Sequence, residues 1–136
     1  MISKKDKIYI AGFFDGEGCI LSTIKSFTKY PSIKIQITQK FPTILHWIQR
    51  TTNLGRITQN STSSLHIYVV SGKKNVLRFI KLILPYSIVK RQQLLLGLEL
   101  AELIMPHGGN PKKVTEINYN RRMQLYTELK RLKRCD

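Results

Sequence analysis

Asp15 and Glu17 stand one residue apart among Gly12, Gly16 and Gly18, at the end of the run "IYIAGFFDGEGCI". The pair is conspicuous because the chain has 23 Lys and Arg against only 8 Asp and Glu, and no acid falls between Gly18 and Leu98. If the apolar run before them is a helix, both carboxylates meet the negative end of its dipole, which costs stability unless a cation compensates. Oxygen-only donors suit a hard divalent cation such as Mg²⁺, which keeps several waters and shares its remaining positions with phosphate. Glu17, with the backbone carbonyl of Gly16, is the candidate metal site, and Asp15 is the second acid.

The segment before the acids reads as that helix. "SKKD" offers Ser3 as N-cap with Asp6 three residues on, a capping-box pattern, so a helix is expected from about residue 4 to the glycines at 16 and 18. Gly12 and Gly16 lie one helical turn apart with Ala11 adjacent, a small-residue stripe that allows another backbone to approach closely. The stripe of Ala11, Gly12 and Gly16, with Asp15 near its end, invites a partner helix. The alternative is that the stripe packs on the chain's own sheet.

Beyond the acids, "CILSTIKS" and "SIKIQITQK" alternate with period two. Ile20, Ile24, Ile33, Ile35 and Ile37 fall on one face; Thr23, Lys25, Ser32, Lys34, Gln36 and Thr38 fall on the other. "TILHWIQRTTNL" after Pro42 is a helix ending before Gly55, and "GRITQN" and "LHIYVVS" are two further strands joined by the polar turn "STSS". Arg56, Thr58 and Asn60 join the polar face. Alternation alone turns His66 and Tyr68 outward in the fourth strand. "KKNVLRFIKLIL" up to Pro85, "IVKRQQLLLGLELAELIM" up to Pro106, and a basic segment from about Thr115 read as helices, with "HGGNPKK" as a turn and Tyr119, Met123, Tyr126 and Leu129 along one stripe. The expected fold is α+β, in the order αββαββα with extra C-terminal helices. The sheet is antiparallel, with helices on one face only and the polar face open.

A net charge of +15 and a length of 136 residues describe one domain, residues 1–136, with a core and a polyanionic partner. The apolar runs are broken by charges, as at Arg78 and Lys81 or Glu99 and Glu102, so no membrane span is expected. Cys19 and Cys135 do not make a disulfide framework, which implies a reducing, intracellular setting, and His46, His66 and His107 lack metal-ligand spacing. Only two alanines among many Ile and Lys are what AT-rich coding DNA produces, a hint of an organellar genome.

The pattern apolar-Ala-Gly-apolar-apolar-acid-Gly-acid-Gly, from Ile10 to Gly18, resembles the signature of the LAGLIDADG homing endonucleases, and the element order resembles that fold. "IQITQK" at 35–40 and "PYSIVKRQQ" at 85–93 resemble later segments of single-motif members, placing Gln39 and Lys90 at pocket positions. Only one such motif occurs. The resemblance therefore implies a homodimer whose motif helices pack side by side over the minor groove of double-stranded DNA.

It further implies catalytic roles for Glu17, Gln39, Lys90 and Asp15. Glu17 would hold Mg²⁺, Asp15 would shape the helix end, Lys90 would offset charge on the scissile phosphate, and Gln39 would order the attacking water. Thr43 stands where some members have a pocket base, and Lys40 is its candidate substitute. DNA contacts are expected from Thr23, Lys25, Ser32, Lys34, Gln36, Thr38, Arg56, Thr58 and Asn60. In the fourth strand the family register is preferred, with Ile67 and Val69 outward and His66 and Tyr68 partly buried. An intron-homing role in a mitochondrion or chloroplast would follow. A non-cleaving maturase bound to intron RNA, or a DNA-binding repressor, is the alternative on the same fold.

Overall fold

Ser3 opens the first helix as expected. Its Oγ accepts the Asp6 N–H at 3.1 Å and satisfies one of the donors that a helix start leaves free. The computed structural model describes residues 1–25, 29–104 and 114–135. Helix α1 (Lys4–Glu17) buries Ile10, Ala11 and Phe14 and passes directly into strand β1 (Gly18–Leu21). A Cβ at residue 18 would lie 2.1 Å from a ring carbon of Phe14, so the close approach of the backbone to that buried ring requires glycine.

Strand β2 (Lys34–Gln39), helix α2 (Thr43–Thr52), and strands β3 (Arg56–Gln59) and β4 (His66–Ser71) follow. Helix α3 (Lys73–Ile83) runs into one 3₁₀ turn, Leu84–Tyr86, at Pro85, and the chain continues with α4 (Arg91–Ile104) and α5 (Glu116–Cys135). The strands form one antiparallel sheet in the order β1-β2-β4-β3. The α+β order αββαββα with added C-terminal helices is the expected one.

Alternation along the strands decides which face the helices cover. Ile35 and Ile37 of β2 and Tyr68 and Val70 of β4 are fully buried beneath α1, α2 and α3. Phe14 of α1 meets Phe79 of α3 edge-on, with ring centroids 6.1 Å apart, a contact worth about 0.5–1.5 kcal/mol beyond the area it buries. Tyr68 Oη donates to the Leu54 carbonyl at 2.7 Å, which satisfies its polar end inside the core.

Three local expectations change. The alternation predicts a first strand running to Ser26, but β1 stops at Leu21: Ser22 turns inward and donates from Oγ to the Ser32 carbonyl at 2.7 Å, and an isolated bridge between Ile24 and Pro31 follows. The fourth helix starts at Arg91 rather than Ile88, because the N–H groups of residues 88–90 turn onto Asp15. On α5 the deepest stripe is Arg122, Leu125 and Leu129 rather than Tyr119, Met123 and Tyr126. Arg122 is only 1% exposed and donates from Nη2 to the Leu103 carbonyl at 3.1 Å, so a residue counted as polar fastens α5 to α4. The segment "HGGNPKK" lies outside the described residues.

Candidate active site

The two acids of the motif occupy different environments. Asp15 faces the turn before α4, where its carboxylate accepts the N–H groups of Ile88 (2.7 Å), Val89 (3.1 Å) and Lys90 (3.2 Å) and the hydroxyl of Ser87. Burial alone would raise its pKa, but these four hydrogen bonds outweigh it and hold the carboxyl below the ordinary carboxylate value. Asp15 is thereby committed to joining α1 to the segment that bears Lys90. Glu17, two residues on, is exposed and has neither hydrogen-bond nor ion-pair partner among the described residues.

The Lys90 ammonium donates to the Gly18 carbonyl and lies 5.9 Å from the centroid of the Phe14 ring. A fixed cation therefore stands one residue from the free carboxylate. Gln39 is half-buried at the end of β2. Since Gly18 pairs with Ile37, Gln39 runs past the start of β1 and reaches the level of the end of α1. Glu17, Lys90 and Gln39 thus converge on one end of the sheet. Thr43, exposed in the first turn of α2, adds no charge there, and Lys40 is exposed beside it.

The donor set suits a hard divalent cation, being a free carboxylate and the backbone carbonyls of a helix end, with no nitrogen or sulfur required. No group of three or more His, Cys, Asp or Glu side chains comes together among the described residues. A single chain therefore offers an ion Glu17 and the Gly16 carbonyl and no further acidic side chain among the described residues.

The open sheet face carries the side chains that the alternation assigned to it. Register aligns Gln36 with Val69 and Arg56 in one row, Thr38 with Ile67 and Thr58 in the next, and Lys34 with Leu21 and Ser71 in a third. Thr23 and Lys25 are exposed beyond the end of β1, Ser32 is half-buried, and its Oγ donates to the Thr23 carbonyl at 3.0 Å. Asn60 is exposed just past β3, but its Oδ1 accepts from both the N–H and the hydroxyl of Thr62, so it shapes the turn. The fourth strand turns Ile67 and Val69 to the open face and Tyr68 to the core, the register that the family resemblance favoured; Tyr68 is fully rather than partly buried.

Two residues had gone unremarked in the sequence. Ser87 donates to Asp15, and a serine just ahead of a helix start was the available signal. Lys133, near the end of α5, joins Lys90 and Lys34 in bringing positive charge onto the Cys19 thiol, although burial is the larger effect and pushes that thiol up. No local pattern could have placed residue 133 beside β1.

On α1, Gly12 and Gly16 lie on the outer face, where an added Cβ would meet nothing within 4 Å. Ala11 does not share that face: it is 0% exposed and packs in the chain's own core, so its expected availability to a partner helix is corrected. Ile88 and Val89, held beside α1 by Asp15, are 84% and 72% exposed.

A helix ending in a free acid, a lysine fixed beside it and an open cationic sheet define one class of protein. The model of the LAGLIDADG endonucleases matches residues 10–95, and the chain belongs to that family. Among curated proteins it is similar to DNA endonuclease I-CreI of Chlamydomonas reinhardtii, 28% identical over 122 residues, covering 85% of this chain and 74% of that one. Among solved structures it resembles an archaeal intron-encoded homing endonuclease, I-Vdi141I, complexed with DNA, with 25% identity and a TM-score of 0.79 over 92% of this chain and 82% of that one. The fold is shared as well with the homing endonuclease I-CvuI in complex with its target in the presence of calcium, at 23% identity and a TM-score of 0.78 over 93% and 80% of the two chains.

Proposed function

We propose that the chain is a homodimeric, site-specific double-strand DNA endonuclease of the intron-homing type, cutting a long, nearly palindromic site across the minor groove and leaving 3′ overhangs. The observation that carries this reading is the division of labour between the two acids: Asp15 is consumed by structure, whereas Glu17 is left free one residue from the site at which Lys90 is fixed.

Glu17 and the Gly16 carbonyl would hold the divalent ion, with Glu17 of a second copy close by. When bound, Mg²⁺ supplies Lewis-acid stabilisation of a phosphoryl oxygen and of the leaving oxygen. The rest is the work of side chains. Gln39 orders the water whose oxygen attacks phosphorus, and the P–O3′ bond breaks to leave a 3′ hydroxyl and a 5′ phosphate. Lys90 offsets the negative charge that grows on the phosphate.

The outer face of α1 supports the dimeric reading. Gly12 and Gly16 leave room for the same helix of another copy, and Ile8, Ile88 and Val89 are exposed apolar side chains on or beside this helix. A two-fold pairing brings two Glu17 residues together and sets two sheets end to end, a footprint of about 20 bp. Lys34, Gln36, Thr38, Arg56 and Thr58 then line the major groove.

Glu17→Gln keeps the shape of the side chain and removes its charge. Cleavage should fall by more than about 100-fold, since outer-shell partners of a metal alone are worth 10–100-fold, while salt-sensitive DNA binding stays within about twofold. Undiminished cutting by this variant would reject the assignment.

A further inference from the structure

The open sheet face is not uniformly polar. Ile67 lies on a central strand with Thr38 on one side and Thr58 on the other, so the row Thr38, Ile67, Thr58 carries carbon at its centre and a threonine at each flank. Directly opposed residues on neighbouring strands hold their Cβ atoms about 4.5–5.5 Å apart, which makes the row one continuous surface. The adjacent row differs. Val69 sits between Gln36 and Arg56 and is only 8% exposed, so this row offers two hydrogen-bonding side chains and little carbon. Ile67 itself is half-buried and retains surface to offer.

An isoleucine on a surface built for a solvated polyanion wastes hydration unless an apolar group covers it. In the major groove of DNA the apolar group is the 5-methyl of thymine, which no other standard base carries. From the DNA-endonuclease reading, on which this step rests, we infer that Ile67, flanked by Thr38 and Thr58, is a specificity residue that packs on a thymine methyl at one position in each half-site. Gln36 and Arg56 in the neighbouring row read hydrogen-bonding edges at the adjoining positions. The face thus alternates between reading shape and reading donors and acceptors.

Selection of bound duplexes from a random library, with EDTA present to prevent cutting, would give the site. Each thymine of that site is then exchanged singly for deoxyuridine, which removes the methyl group and leaves the pairing edge unchanged. One exchange per half-site should weaken binding by about fourfold, the value of one buried methyl. In Ile67→Ser, which leaves the residue no methyl to offer the groove, the same exchange should lose most of its effect. Should that variant fail to fold, Ile67→Val, which only shortens the side chain, should halve the sensitivity or better. Uniform tolerance of deoxyuridine, or a penalty that persists in the variants, overturns the assignment while leaving the endonuclease reading intact. Absence of any salt-sensitive duplex binding overturns both.

Discussion

The carboxylate of Asp15 accepts the backbone N–H of Ile88 at 2.7 Å, and so ties the end of α1 to the turn that carries Lys90. Through this contact one acid of the motif sets where Lys90 stands, and the other, Glu17, is left without a side-chain partner among the described residues.

Asp15→Asn keeps one acceptor and turns an amide donor toward N–H groups that already donate. The fold should lose about 1 kcal/mol at pH 7, the net worth of a hydrogen bond lost at a partly exposed site, read as a lower urea midpoint. The folded carboxyl titrates below its ordinary value of 3.8, so the unfolded chain takes up the proton first as pH falls. The stabilisation is complete above that unfolded value and is lost as pH drops through the folded one. Wild type should therefore lose stability on acidification below about pH 4 more steeply than the variant. Parallel acid profiles would show that the contact does not operate.

Gly12→Leu tests the outer face of α1. Within one chain the new side chain meets open space, and leucine is the better helix former by up to about 1 kcal/mol, so the monomer should be as stable or more so. Sedimentation should nevertheless show the dimer lost, and cleavage with it. A Gly12→Leu protein that still dimerises and cuts would place the interface elsewhere.

Lys90→Met retains the apolar stem against Phe14 and removes the ammonium from the Gly18 carbonyl. The maximal cleavage rate should fall by about 10²–10³-fold with little change in affinity, because the charge acts on the transition state. A loss confined to binding would make Lys90 an ordinary phosphate contact.

Much of this was legible along the chain. The Ile35, Ile37 alternation, the Ser3 cap and the spacing of Gly12 and Gly16 are local signals, and each element they marked is present within a few residues. What failed was non-local. Ser22 turned inward because a carbonyl ten residues on was there to accept from it. Ala11 looked like part of a glycine stripe, but helical geometry rotates it about 100° from Gly12 and into the core. Asp15 could not reveal that its partners lie some seventy residues away, and Arg122 could not reveal that Leu103 would receive it.

The central claim is that Glu17, free at the end of α1, makes this chain a metal-dependent, site-specific nuclease. Its most direct test is to incubate the protein with a randomised duplex library and Mg²⁺, with and without EDTA, and to sequence every new end. The account predicts cohesive 3′ overhangs at one nearly palindromic site, abolished by EDTA and by Glu17→Gln. Folded protein that binds DNA or intron RNA in a salt-sensitive way yet produces no ends in Mg²⁺ would contradict it, and would make the chain a maturase or repressor on a nuclease fold.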